Sequence, residues 1–125
     1  MIGEISLVVA LLVAFGGGTG AWLRWRLDRY ITDRTSSDLL VSLLVINTLG
    51  SLVLGLLFGL TDSWWLVALI GTGLCGGFTT FSTVSVDAVG LFQRKLTAAA
   101  LISVVAMALL TVAAFALGYY AVNWI

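Results

Sequence analysis

Four long stretches of this chain carry no Asp, Glu, Lys or Arg: residues 5–23, 39–61, 63–86 and 96–125. Their lengths are 19, 23, 24 and 30 residues, against the roughly 20 that a helix needs to cross the hydrocarbon of a bilayer. At that depth every backbone N–H and C=O must find its partner inside the protein, which favours helices for such spans. The pattern predicts an all-α membrane protein of four transmembrane helices, residues 1–125 forming one unit. Composition agrees, with 61% hydrophobic and 10% charged residues where soluble domains carry about 25% charged.

The same composition excludes several functions. There is no histidine and one cysteine, Cys75, so an internal disulfide is ruled out and a zinc, copper or haem site is not expected. The net charge is zero, which gives nucleic acid nothing to bind. No histidine, buried carboxylate pair or nucleophile with a nearby base is evident, so catalysis has little support. The N-terminus carries Glu4 in place of a basic n-region, so helix 1 is expected to stay in the mature protein.

Helix 1 is expected from about Ile5 into Arg24-Trp25-Arg26, where Trp22 and Trp25 suit a membrane interface. A polar connection over Asp28 to Asp38 follows, then helix 2 from about Leu39 to Leu60. Helix 3 is expected from Trp64 to about Phe92, a turn at Gln93-Arg94-Lys95, and helix 4 from Leu96 to about Tyr120. Small residues four apart (Gly16 and Gly20, Ser51 and Gly55, Gly55 and Gly59, Gly73 and Gly77) mark faces where helix backbones approach closely. Packing within one subunit is the plain reading of them, and a dimer interface the other.

The third span is unusual. Its segment Gly73-Leu74-Cys75-Gly76-Gly77-Phe78-Thr79-Thr80-Phe81-Ser82-Thr83-Val84-Ser85 sets a glycine pair and five hydroxyl side chains in the middle of an apolar run. One hydroxyl in a transmembrane helix commonly bonds back to its own i−4 carbonyl. Together with the glycines, these five suggest a helix break lining an ion or polar-solute pathway, with freed carbonyls able to coordinate a cation. Asn47, nine residues into helix 2, either ties helices together or offers its amide N–H to a passing anion. Arg24, at the end of helix 1, either snorkels to phosphate headgroups or forms an electropositive vestibule. Asp87 is placed to pair with Arg24 or Arg94, or to reach the interface.

On three motifs the chain resembles the Fluc (CrcB) fluoride channels. These are Gly17-Gly18-Thr19-Gly20-Ala21 with Arg24-Trp25, Asn47 with Gly50-Ser51, and Gly76-Gly77-Phe78-Thr79-Thr80-Phe81-Ser82-Thr83. The resemblance covers essentially the whole chain. It implies a fluoride-specific channel of the cell membrane, passing the ion by passive electrodiffusion through two narrow pores of an antiparallel dimer. It also implies a structural sodium ion at the dimer centre, held by the backbone carbonyls of Gly76 and Thr79. By motif, Asn47, Phe81, Ser82 and Thr111 fall on the pore wall and Arg24 near its entrance. Positive aromatic edges and sparse donors can replace part of the water of a strongly hydrated anion.

Two positions depart from the family pattern. Val84 stands where a second pore phenylalanine is expected, and Met107 where helix 4 is expected to be polar. Charge adds a related expectation. All six basic residues, Arg24, Arg26, Arg29, Arg34, Arg94 and Lys95, belong to the 1–2 and 3–4 loop side, which predicts those loops in the cytoplasm and the termini outside. Such a one-way chain would pair with an inverted paralogue supplying the intact pore residues, where an unbiased chain would pair with a second copy. Two alternatives are a small multidrug-type proton-coupled exporter and a non-conducting structural subunit. The first calls for a buried acid in helix 1, where the predicted span has only Glu4, and the polar stripe of residues 76–85 argues against the second.

Overall fold

The computed structural model describes residues 2–35 and 39–124, and these are helical nearly throughout. Helix α1 is Ile2–Thr35 and α2 is Leu39–Leu60. Helix α3 covers residues 64–78, α4 is Ser82–Gln93 and α5 is Thr97–Trp124. The third span is therefore two helices, α3 and α4, separated by Thr79-Thr80-Phe81. All four spans are long and apolar enough to cross a membrane. Large side chains such as Leu7, Leu11, Phe15, Val112 and Leu117 are exposed along them, as they should be where lipid replaces water as the solvent.

Helix boundaries differ from the sequence reading, most of all at the end of α1. The connection expected over Asp28 to Asp38 is helical as far as Thr35, and its remainder, residues 36–38, lies outside the described residues. Nothing in the sequence stops α1 earlier, since no glycine or proline occurs between Gly20 and Gly50. At about 1.5 Å per residue its 34 residues span about 51 Å, well beyond the roughly 30 Å of hydrocarbon. The polar end is braced by guanidinium–ring stacking one turn apart: Arg26 on Trp22, Arg29 on Trp25 and Arg34 on Tyr30, at 5.8, 5.7 and 4.5 Å. The final helix starts at Thr97 and runs to Trp124, one residue later and four residues further than expected.

The turn between α4 and α5 falls where expected. Leu96 N–H donates to the Leu91 carbonyl and Lys95 N–H to Phe92, with Lys95 in the left-handed region at φ 62°. That is a Schellman arrangement without the usual glycine.

Helix α1 packs on α3 and α2 packs on α5. The glycines explain the first pairing. A Cβ on Gly16 would strike the Leu69 carbonyl oxygen, and one on Gly20 the Leu74 carbonyl oxygen. On the other side, a Cβ on Gly77 would strike the Gly17 carbonyl oxygen. Backbone therefore lies on backbone, the geometry that small residues permit. Over Val67–Cys75 α3 widens into π-winding, a rare form often found at functional sites. Gly55 meets the Phe115 carbonyl in the same manner, holding α2 to α5.

Candidate functional site

The break begins where Thr79 turns extended (φ −82°, ψ 159°) after Phe78. A broken helix in a membrane needs substitutes for its lost hydrogen bonds, and Asn47 of α2 supplies them. Its Oδ1 accepts from Thr80 N–H at 2.9 Å and its Nδ2 donates to the Thr80 carbonyl at 3.0 Å. The side-chain amide thus acts as a peptide group facing Thr80. Nδ2 also points at Met107 Sδ, 3.6 Å away. Asn47 is buried, as is Thr80, so these bonds form in a low-dielectric setting where an unpaired group is costly.

Beyond the break, Thr80 caps the new helix. Its Oγ1 accepts from Thr83 N–H at 3.2 Å, lies 3.0 Å from Thr83 Oγ1, and is 3.4 Å from Ser82 Oγ. Three hydroxyls therefore cluster at the start of α4. On the other side Thr79 Oγ1 and N–H both donate to the Cys75 carbonyl, each at 2.9 Å.

The carbonyls left without a backbone partner at the break are those of Gly76, Gly77, Phe78 and Thr79, since Phe81 and Ser82 N–H make no backbone hydrogen bond among the described residues. Thr80 N–H would have closed onto Gly76 in a continuous helix, but it goes to Asn47. Thr83 N–H would have closed onto Thr79, but it goes to Thr80 Oγ1. Arg24 Nη1 reaches the Thr79 carbonyl at 3.4 Å, a long bond that leaves a second lone pair on that oxygen. The Gly76 surface is open, with nothing within 4 Å of where a Cβ would stand. Two hard carbonyl oxygens of this kind fit a small hard cation.

Five of the predicted site residues (Asn47, Gly76, Thr79, Phe81 and Thr111) line one open groove of about 410 Å³ along α2, α3 and α5. The other two stand outside it. Ser82 is exposed on the first turn of α4. Arg24 lies in a separate recess of about 200 Å³ with Asp28, Thr80 and Thr83. Phe81 is 79% exposed, presenting its ring outward at the break. Thr111 Oγ1 bonds back to the Met107 and Ala108 carbonyls at 2.9 and 3.0 Å, which leaves its oxygen lone pairs for other contacts. Asp87, half-buried on α4, makes no ion pair with Arg24 or Arg94 among the described residues.

The two departures from the family pattern meet each other. Val84 and Met107 are buried at 6% exposure each and pack with Leu43. An apolar cluster therefore backs the groove just below the break. Leu43 was not singled out from the sequence, because one leucine in an apolar helix carries no signal. Its place one turn before Asn47 is the only hint that it shares a face with the site. Ser42, fully buried and donating its hydroxyl to the Asp28 carboxylate, was missed for a different reason. Asp28 opens the stretch expected to be a polar connection, where a buried partner is not looked for.

Comparison with known proteins places this arrangement among relatives. A sequence profile described as CrcB-like protein, Camphor Resistance (CrcB), matches residues 11–119. The Fluoride-specific ion channel FluC 2 of Rhodococcus jostii is 40% identical over 112 residues, covering 90% of this chain and 96% of its own. The Fluoride-specific ion channel FluC 1 of Corynebacterium jeikeium is 40% identical over 125 residues, covering 88% and 87%.

Proposed function

This chain belongs to the CrcB-like family, and from that footing we propose that it is a subunit of a fluoride channel of the cell membrane. The observation that carries the reading is the break itself. One buried amide satisfies both backbone groups of Thr80, which leaves the Gly76 carbonyl without its helical partner, and Phe81 stands exposed beside a polar-edged groove. Nothing in this arrangement does chemistry on a substrate. It offers a strongly hydrated anion a few donors and an aromatic edge, enough to replace part of its water and too little to hold it. Passive electrodiffusion fits this reading, since among the described residues the groove is lined by no carboxylate and Cys75 is its one ionisable side chain.

The groove is open on one side and Phe81 faces out of it, so the pathway needs a second subunit to close it. An antiparallel dimer does this, bringing the breaks of two inverted chains together at its centre. A structural sodium ion there would be held by the carbonyls of Gly76 and Thr79, neutralising oxygens that face one another across the axis. With Val84 and Met107 apolar, the second subunit is best supplied by an inverted paralogue whose wall keeps polar or aromatic side chains at those positions. The exporter alternative requires an acid deep in α1. Glu4 is exposed at its start, and Asp28 stands at the basic end beyond Arg24.

Fluoride efflux from proteoliposomes, with this chain alone and with a candidate partner, tests the proposal. Phe81→Ile and Asn47→Ala should each lower the initial rate at least about tenfold, the equivalent of about 1.4 kcal/mol on the barrier. An unchanged rate after both replacements would mean that they line no conducting pore.

A further inference from the structure

We propose that Asp28 is a rate-setting residue for anion entry, a fixed negative charge held inside the mouth of the pathway at its Arg24 end. The inference rests on the channel reading above and concerns a residue outside the break. The 200 Å³ recess is bounded by Arg24 and Asp28 of α1, Leu43 and Ile46 of α2, and Thr80 and Thr83 at the break. Thr80 lines both this recess and the groove, and its hydroxyl bonds that of Thr83 in the recess, so polar atoms connect the recess to the break.

Asp28 is not a solvated surface carboxylate. The hydroxyl of Ser42, 0% exposed, donates to Asp28 Oδ1 and turns the carboxylate in against α2. Arg24, one turn earlier on the same helix, sends its guanidinium to the Thr79 carbonyl. The two charges thus share the recess without forming an ion pair among the described residues. An anion entering meets attraction from Arg24 and repulsion from Asp28, and the second partly cancels the first.

The size of the effect follows from Coulomb's law. A unit charge about 7 Å away in a water-like medium changes the local anion concentration about threefold. Removing the Asp28 charge should therefore raise anion entry by about that factor. Ionic strength separates this from a structural effect, because mobile ions screen the charge within roughly 3 Å at about 1 M and roughly 30 Å at about 10 mM.

The experiment measures initial fluoride efflux from proteoliposomes carrying wild type, Asp28→Asn, Asp28→Ser or Asp33→Asn, each reconstituted alone and with the candidate partner subunit. Each is assayed at about 10 mM and about 1 M impermeant salt. Asparagine keeps an acceptor for Ser42, and serine removes the charge in a second way should asparagine fold poorly. Both neutral variants should run about threefold faster than wild type at low salt and equal to it at high salt, with Asp33→Asn unchanged throughout. Equal rates at low salt, or the same ratio at both salts, overturns the assignment. A matching gain in Asp33→Asn would assign the effect to general surface charge and overturn it as well. Wild type that carries no fluoride under any condition overturns the channel reading itself.

Discussion

At the scale of single residues, Asn47 and the pair Val84–Met107 define what this subunit contributes. Asn47 was legible as important, because an amide at mid-membrane depth is costly unless bonded. The sequence left its role open between tying helices and donating to an anion. The tie is visible, since its oxygen and its amide nitrogen are both engaged with Thr80. Val84 and Met107 were legible as departures, but their contact across α4 and α5 was not, since residues 23 positions apart share no helical register. They behave as one unit with Leu43. Enlarging Val84 alone to Phe should overpack that cluster and destabilise the protein by about 1–3 kcal/mol. Pairing Val84→Phe with Met107→Ser makes room for the ring and restores a hydroxyl near Asn47. The double variant should recover thermal stability above the single one and raise fluoride flux above wild type. Thermal unfolding and proteoliposome efflux on the same preparations check both statements. A double variant no better than the single one would mean that the two positions do not share a cavity.

At the scale of elements, the sequence showed the four spans because charge-free length is a direct readout of bilayer thickness. It also marked the break, since glycines and hydroxyls crowd where the helix ends at Phe78. It did not mark the end of α1. Past Arg26, residues Arg29, Asp33 and Arg34 look like a solvated loop in composition, yet the arginines are sound helix formers and no glycine or proline stands among them. Their stacking on Trp22, Trp25 and Tyr30 lies one turn apart along that helix. The glycines sort by what they face. Gly20 lies against α3, with Phe78 N 2.8 Å from where its Cβ would be, whereas Gly18 has nothing within 4 Å. Gly20→Ala should therefore push α1 off α3 and lower the melting temperature, by about 1–3 kcal/mol of overpacking in free-energy terms. Gly18→Ala should leave the fold intact and gain a few tenths to about 1 kcal/mol of helix propensity. Thermal melts of detergent-purified protein distinguish them. If Gly18→Ala destabilises instead, that face of α1 is covered by a second subunit.

At the scale of the whole molecule, charge asymmetry and the one-sided groove point the same way. The groove along α2, α3 and α5 is open, with Phe81 turned out of it, so a second subunit has a place to complete it. All six basic residues stand toward one end: four on the last third of α1, two in the turn between α4 and α5. Extending α1 sharpens this, because Arg26, Arg29 and Arg34 project along a rigid helix beyond the bilayer and do not trail in a loose loop. A basic cluster fixed in that way should commit the chain to one insertion, basic end inward. A homodimer of oppositely inserted copies needs half of its chains to insert against that bias. Tagging each terminus and labelling intact cells decides between the two. Both termini should be accessible from outside only, and co-expression with an inverted paralogue should yield a mixed dimer on tandem purification. Neutralising Arg26, Arg29, Arg34, Arg94 and Lys95 together should then scramble the labelling toward both faces. Labelling already equal in wild type would show that the basic end does not dictate insertion, and this chain would then be free to pair with its own inverted copy.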